Sequence, residues 1–250
     1  MFLVSIGFIY LLEFRIKKMS YKRPKKLLNF NSHFKMLKSR KHGFLNAILH
    51  LAPYNLSGYN VCPKASKGCS QACLNLSGMG VFKVNQLARI NKTKFFFEDK
   101  QLFLSQLDHE INLLKNKAKL LGFKLAIRLN GTSDLPFERY KIKDNKSLME
   151  LHKDVIFYDY TKIKNRLNSL LPSNYKLTFS RSESNDHELK DIKQNIAVVF
   201  KNSLPKKYLN RKVINGDDHD LRFLDPKNAV VGLLAKGKAK KDTSGFTIEN

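Results

Sequence analysis

The chain has 250 residues, of which 42% are hydrophobic, so it can bury a full core and does not belong to the class of disordered proteins. Lysine and arginine total 46 against 21 aspartate and glutamate residues, which gives a formal net charge of +25. A positive surface favours nucleic acids, nucleotides and other anionic partners, although a lysine-rich surface that meets only water has the same composition.

The beginning of the chain is apolar but too short to cross a membrane. Residues 1–12 carry no charge, whereas a membrane span needs about 20 apolar residues, and neither a basic region nor a cleavage site marks a secretion signal. We therefore expect residues 1–18 to be a translated upstream extension, non-native or peripheral to the domain, with an amphipathic membrane anchor as the alternative. An odd number of cysteines favours a reducing compartment, the cytoplasm.

The remaining chain is predicted to form one α/β domain after a basic arm. Residues 19–43 are rich in lysine and arginine with little apolar periodicity, which predicts a peripheral arm. We expect a mostly parallel sheet, a partial βα barrel of about six strands, in a single domain over residues 44–250. Short apolar runs predict the strands at residues 44–51, 125–129, 155–158, 175–179, 196–200 and 230–234.

Two helices are predicted between the first two strands. Residues 81–97 have helical spacing, and four of them are expected to face the core: Val84, Leu87, Ala88 and Phe95. Asp99 is expected to cap a second helix that ends before Gly122. Its apolar stripe is Leu102, Phe103, Leu107, Ile111, Leu114 and Ala118.

All three cysteines of the chain fall within one short segment. Cys62, Cys69 and Cys73 follow the first predicted strand with the spacing Cys-x6-Cys-x3-Cys, and Pro63 and Gly68 between them suit a loop. Thiolates gathered in this way are typical ligands of zinc or of iron–sulfur centres. The alternatives are three thiols that hold no metal, or one disulfide with a thiol left over.

The number of cysteines favours an iron–sulfur cluster over zinc. Structural zinc is almost always four-coordinate, so zinc would require another ligand, such as His50, beside Cys62, Cys69 and Cys73. A [4Fe–4S] cluster held by three thiolates instead leaves one iron open for a small molecule. We therefore expect the three cysteines to be metal ligands, with zinc as the alternative metal.

Polar loops follow three of the later strands. Residues 130–134, 159–162 and 180–185 begin where predicted strands end and are dense in hydrogen-bonding groups. The carboxyl ends of parallel strands meet at one edge of a sheet, where the cysteine loop would also lie, so together the loops predict a site. Each loop taken alone would also be explained by turns and helix caps.

Two charged segments near the end of the chain are further candidates. Residues 215–220 place three aspartates beside His219, a set that could hold a divalent cation, but the Asn215-Gly216 pair favours a hairpin turn. Residues 236–241 carry four lysines, which indicates an exposed basic segment able to contact phosphate.

Several separate motifs resemble the phage "gene product 88" family. They are residues 55–58 with the three cysteines, 128–134 (RLNGTSD), 157–162 (FYDYTK), 178–183 (TFSRSE) and 220–226 (DLRFLDP). The resemblance covers about residues 44–248 in order. The family has no established activity, so the resemblance implies a phage origin, and hence the host cytoplasm, rather than a function.

That layout is in turn similar to radical S-adenosylmethionine enzymes, in which a three-cysteine loop follows the first strand of a partial βα barrel. The similarity implies that Cys62, Cys69 and Cys73 hold a [4Fe–4S] cluster whose open iron binds S-adenosylmethionine. The usual spacing there is Cys-x3-Cys-x2-Cys, with an aromatic residue where Ala72 stands in this chain.

S-adenosylmethionine would need partners from neighbouring strand ends. Backbone beside a glycine can approach it closely, an arginine can pair with its carboxylate, and a glutamate can accept a hydrogen bond from its ribose. The candidates are Gly131 and Thr132 after the second strand, and Ser180, Arg181 and Glu183 after the fourth. In the competing interpretation, Arg181 and Glu183 pair with each other as a structural ion pair.

Asp134 and Asp159 are then left as catalytic candidates, for contact with the substrate or for proton transfer. The leading hypothesis is an iron–sulfur protein with radical S-adenosylmethionine-like chemistry that acts on a nucleotide or nucleic acid. The alternative is a non-catalytic nucleic-acid-binding protein stabilised by zinc.

Overall fold

The computed structural model describes residues 20–30 and 37–250. The expected extension over residues 1–18 lies outside the described residues, as does part of the basic arm. Within the described ranges, no helix is both long enough and apolar enough to cross a membrane.

In the described part of the chain, nine strands form one sheet in the spatial order β1-β2-β3-β4-β5-β6-β9-β8-β7. Their bounds are β1 Leu28–Phe30, β2 Phe44–Leu49, β3 Lys124–Arg128, β4 Ile156–Thr161, β5 Tyr175–Ser180, β6 Ile196–Phe200, β7 Lys207–Tyr208, β8 Arg211–Asn215 and β9 Val230–Leu234. The six predicted strands are all present, as β2 to β6 and β9. Sequence analysis missed β1, β7 and β8, which are short or polar.

The sheet is mostly parallel, as expected. Strands β2 to β6, β9 and β8 run in one direction, while β1 and β7 pair antiparallel at the two edges. The carboxyl ends of the parallel strands therefore meet at a single edge of the sheet. The sheet is open rather than closed into a barrel. The α/β class and the single domain are confirmed.

The described helices are α1 Lys67–Gln71, α2 Lys83–Glu98, α3 Lys100–Leu120, α4 Leu148–Leu151 and α5 Lys164–Leu167. The long helices α2 and α3 both lie between β2 and β3, as predicted. After β3 the described connections contain only the four-residue helices α4 and α5 and short 3-10 turns, so the later strands are joined mainly by irregular loops.

The predicted inward face of α2 is wrong at three of its four residues. Val84 is 76% exposed, Leu87 is 58% exposed and Ala88 is also exposed, whereas Phe95 is buried as expected. Periodicity identifies which residues share a face of a helix, but the first half of α2 does not pack on the core, so its apolar residues stay in solvent. Lys92, in the second half of the same helix, is buried.

The predicted stripe of α3 is almost entirely confirmed. Phe103, Leu107, Ile111, Leu114 and Ala118 are buried. Leu102 is the exception at 37% exposed. Gly122 follows the helix with a positive φ of 71°, a conformation that favours glycine at a helix end.

Side chains alternate between the two faces of the sheet. On β2 and β4, Leu45, Ala47 and Phe157 pack in the main core with α2 and α3. Phe44 and Tyr158 point the other way, into a smaller cluster. This alternation decides which of the predicted site residues can reach the site.

The described part of the basic arm is packed onto the domain. Leu27 and Leu28 are buried, and β1 adds an antiparallel edge strand to β2. Glu110 of α3 accepts hydrogen bonds from the backbone nitrogens of Leu27 (2.8 Å) and Leu28 (2.8 Å), and Lys92 Nζ donates to the Leu27 carbonyl (2.7 Å). Burial lowers the pKa of Lys92 to about 8.

The hairpin predicted at Asn215-Gly216 is wrong. Asn215 ends β8, and β8 is parallel to the next strand, β9, so the chain must cross over between them. A hairpin instead joins β7 and β8 through Leu209 and Asn210, whose φ values are 52° and 58°. Asn-Gly allows such a turn but does not require it, and pairing across the sheet decided the outcome.

Candidate functional site

A cavity of about 260 Å³ lies at the edge of the sheet where the parallel strands end. The cysteine loop, the loops after β3 and β4, the ends of β5 and β9 and the end of the chain form its walls. Its lining includes seven of the predicted site residues: Cys62, Cys69, Cys73, Gly131, Thr132, Asp134 and Ser180. Asp159, Arg181 and Glu183, which are also described, lie outside that lining.

The cysteine loop is organised around the short helix α1. Ser66 precedes the helix, and its Oγ accepts a hydrogen bond from the backbone nitrogen of Cys69 at 3.1 Å, as an N-cap serine does. Cys62 lies before α1, where its Sγ accepts from the Tyr54 nitrogen at 3.4 Å and its thiol donates to the Thr132 carbonyl at 3.7 Å. The three cysteines are free thiols.

Glu183 holds this loop in place. Its carboxylate accepts hydrogen bonds from Ser66 Oγ at 2.8 Å and from the Gly68 nitrogen at 2.7 Å. A methyl group on Gly68 would lie 2.0 Å from Ser244 Oγ, so glycine is required where the end of the chain crosses α1. The carboxylate expected to bind a ribose is therefore occupied by the cysteine loop.

Arg181 is also occupied by the protein. It is buried, its Nε donates to Asp186 Oδ1 at 2.7 Å, and its Nη1 donates to the carbonyls of Gly245 and Phe246, the latter at 2.7 Å. The guanidinium pairs with Asp186, and not with Glu183 as in the competing interpretation. It ties the loop after β5 to the end of the chain.

Asp159 faces the helix side of the sheet. It follows Tyr158, which faces the opposite side, and is 1% exposed. Its Oδ1 accepts from the Asn130 nitrogen at 2.7 Å, and its Oδ2 accepts from the Tyr175 hydroxyl at 2.9 Å. Burial raises the pKa of Asp159 to about 6. Its position supports the loop after β3 from beneath.

Asp134 lines the cavity, but both of its oxygens are bonded to the protein. Oδ2 accepts from the Lys162 nitrogen at 2.8 Å, and Oδ1 accepts from the guanidinium of Arg166. Arg166 also donates to Glu138 at 3.0 and 2.9 Å. Burial raises the pKa of Asp134 and Arg166 lowers it, with a net rise.

Gly131, Thr132 and Ser180 lie on the rim as predicted. The Gly131 nitrogen donates to the Leu49 carbonyl at 2.9 Å, and a Cβ at Gly131 would lie 2.7 Å from the same oxygen, so only glycine fits there. Thr132 Oγ1 donates to the Leu51 carbonyl at 2.6 Å. Ser180 Oγ accepts from Lys162 Nζ at 2.7 Å.

Sequence analysis missed several basic and aromatic residues in the cavity. Lys162 follows β4, and its Nζ lies 5.6 Å from the centre of the Phe246 ring. Arg128 ends β3, and its guanidinium lies 4.6 Å from the centre of the Tyr160 ring. A signal was present, because these basic residues stand at the ends of predicted strands, inside or beside loops already identified as polar.

Burial and neighbouring cations act in opposite directions on the pKa values of the thiols. Burial raises the pKa of all three cysteines, and that of Cys62 to about 12. Lys162 acts in the opposite direction on Cys69, and Arg89 and Lys162 do so on Cys73. The loop therefore holds neutral thiols by itself, while these cations favour the thiolate form that a metal centre requires.

The three thiols share one cavity without forming the ligand set of a single ion. Within residues 20–30 and 37–250, no three His, Cys, Asp or Glu side chains form a group that could hold one metal ion. His50, the fourth ligand considered for zinc, lies beneath the loop after β3, where a Cβ on Gly131 would be 2.8 Å from its Cδ2. In an iron–sulfur cluster each thiolate binds a different iron atom, so that centre does not require convergence on one point.

Comparison with known proteins identifies the family. The pattern of the family described as Gene product 88 matches residues 22–250, so the chain belongs to that family. The match begins earlier than the expected residue 44 and includes much of the basic arm. No curated protein and no solved structure matches the chain.

Proposed function

We propose that this protein is an iron–sulfur protein of the cytoplasm in which Cys62, Cys69 and Cys73 hold a [4Fe–4S] cluster. The observation that carries the proposal is that the only three cysteines of the chain line one cavity at the carboxyl ends of parallel strands. Active sites of α/β folds are built at that edge. We further propose that the cavity takes S-adenosylmethionine and that the protein acts on a nucleotide or nucleic acid.

The surroundings of the cysteines support a negatively charged centre. Lys162 and Arg89 favour ionised Cys69 and Cys73, which compensates part of the cost of burying thiolates. Glu183 and Ser66 fix the backbone that carries Cys69. A bound cluster would supply one-electron chemistry, and the chain would supply its position.

The remaining lining residues support a polar, anionic ligand. Thr132 and Ser180 place hydroxyl groups on the rim, and Lys162 adds a positive charge beside Ser180. Exposed lysines extend this charge outward from the cavity: Lys64, Lys67, Lys238, Lys240 and Lys241. Their contacts with phosphate groups would be sensitive to salt, as nucleic-acid binding is.

Metal content tests the first part of the proposal. The full chain, purified and reconstituted without oxygen, should be brown and contain about four iron and about four sulfide per molecule. Alanine at Cys62, Cys69 or Cys73 should lower the iron content, whereas Ser70→Ala, a similar change in α1, should not. A colourless wild-type protein with one zinc would overturn the cluster and support the zinc alternative.

The cofactor is tested separately on iron-loaded protein. S-adenosylmethionine should change the electron paramagnetic resonance signal of the reduced cluster, and Ser180→Ala on the rim should weaken that change while iron content is kept. A signal unaltered by S-adenosylmethionine would end the cofactor part of the proposal without affecting the cluster.

A further inference from the structure

Arg128 is half-buried and differs in its contacts from the buried Arg166 and Arg181. Arg166 and Arg181 are surrounded by carboxylates or carbonyl oxygens that accept their hydrogen bonds. Arg128 lines the cavity, its guanidinium lies against the Tyr160 ring, and its buried Nε has no hydrogen-bond partner within the described residues. The guanidinium therefore lies against the ring while its Nε has no acceptor among the described residues.

A second buried donor lies on the same face of the sheet. Asn46 is 1% exposed, and its Oδ1 accepts from the Tyr158 hydroxyl at 3.0 Å, but its Nδ2 has no partner in the described part of the chain. Asn46 pairs with Ala126, two residues before Arg128 on β3, so both donors face the same side. Buried donors are almost always satisfied, so an acceptor is expected beside each of them, and of the two only Arg128 lines the cavity.

The charges around Arg128 are mixed. Lys162 and Lys236 line the cavity with it, as do Asp217 and Asp220. Asp217 pairs with Lys236 at 2.6 Å. A rival explanation is that Arg128 only balances the charge of Asp220, and it predicts that no added anion would change the environment of the guanidinium.

We propose that Arg128 anchors an oxyanion, the carboxylate or phosphate group of a small molecule, at the floor of the cysteine-lined cavity. This rests on the proposed function only in taking the cavity as the ligand site, and it does not require a metal. An arginine fork held against an aromatic ring recognises two oxygens of such a group at once.

The size of the cavity limits the ligand. About 260 Å³ is just below the usual range for small-molecule sites, so the cavity accepts a small anionic molecule or the end of a larger one. A nucleotide phosphate and an amino-acid carboxylate share the chemistry that Arg128 recognises. Within the proposed class of nucleotides and nucleic acids, the ligand group that enters the cavity is therefore a single accessible oxyanion.

The test follows the guanidinium of Arg128 directly. Full-length metal-free protein labelled with ¹⁵N in arginine side chains is titrated with inorganic phosphate and, separately, with acetate, at constant ionic strength set by chloride. The Arg128 Nε signal is assigned by its absence in Arg128→Lys. We expect this signal to shift saturably with at least one anion, and the choice of anion distinguishes a phosphate from a carboxylate ligand.

A matched pair of variants provides the control. Arg128→Lys keeps the charge but loses the fork and should weaken binding measured by calorimetry by about tenfold or more. Arg139→Lys makes the same change at an exposed arginine and should bind as the wild type does. Melting temperatures of both variants show whether the fold is retained. If a variant does not fold, the titration of the wild-type protein still tests the proposal.

Two outcomes would overturn the inference. One is an Arg128 Nε signal that moves with neither anion. The other is an equal shift of the Nε signal of exposed Arg139, which would indicate non-specific attraction of anions. Because the protein is metal-free, these results leave the iron–sulfur proposal untouched. If the native protein instead contains zinc or no metal, the iron–sulfur proposal fails, but anion binding at Arg128 is still tested by the same titration.

Discussion

Replacing Glu183 by alanine should release the cysteine loop from the rim. The carboxylate accepts hydrogen bonds from Ser66 Oγ at 2.8 Å and from the Gly68 nitrogen at 2.7 Å. A hydrogen bond to a charged group contributes about 1.5–3 kcal/mol, and we take about 1 kcal/mol for each because Glu183 is partly exposed. The loop should therefore open more easily by about 2 kcal/mol in Glu183→Ala.

Thiol labelling of the metal-free protein measures this opening. When opening and closing are fast, the labelling rate follows the population of the open loop, so about 2 kcal/mol corresponds to roughly 30-fold faster labelling. A disulfide reagent applied under native conditions, with mass spectrometry to locate the label, should show the increase mainly at Cys69, which lies in α1, and at Cys73, which follows it.

Two further variants complete the experiment. Glu183→Gln keeps one acceptor oxygen and should fall between alanine and the wild type. Glu249→Ala removes an exposed carboxylate far along the chain that pairs with Lys201, and it should label as the wild type does. Labelling of Glu183→Ala within twofold of the wild type at every cysteine would refute the role of Glu183 as the clamp of this loop.

Three other changes have defined outcomes. Gly68→Ala places a methyl group 2.0 Å from Ser244 Oγ and should lower the melting temperature, whereas Lys67→Ala beside it should not; equal melting temperatures would contradict the close packing. Arg166→Met leaves two buried carboxylates without their cation and should lower the free energy of unfolding in urea by about 3–5 kcal/mol; a loss below about 1 kcal/mol would refute a buried pair. Burial raises the pKa of Asp159 from 3.8 to about 6, so the folded state binds its proton more tightly than the unfolded state does. Its stabilising contribution is complete below about pH 4 and is lost as the pH rises to 6, by roughly 1.4 kcal/mol per unit. Asp159→Asn should lack this part of the pH dependence, and parallel unfolding curves for the two proteins would be evidence against the raised pKa.

The strands were predictable because their signals are local. Six short apolar runs rich in β-branched and aromatic residues, separated by long intervals, became β2 to β6 and β9. The same local reasoning failed for the inward face of α2, where Val84 and Leu87 are exposed. A periodic pattern does not show how far a helix extends beyond the core on which it packs.

The site was predictable in position but not in detail. Its location follows from parallel strands ending at one edge, and the gathering of three cysteines in one loop was visible from their spacing. Which polar residue faces the cavity depends on the alternation of each strand and on contacts across the sheet. Asp159, a catalytic candidate from the sequence, therefore lies outside the cavity lining, whereas Arg128, which the sequence analysis did not select, lines it.

By itself, the sequence determined the α/β class, the positions of the main strands and the cysteine loop, because each depends on residues close together in the chain. Only the tertiary structure decided that Glu183 serves the loop and that Arg181 ties down the end of the chain. Ser66 and Glu183 are 117 residues apart in sequence, and Arg181 and Phe246 are 65 apart. Such contacts leave no local pattern, since the partner of a polar group is fixed only when the folded backbone brings the two together.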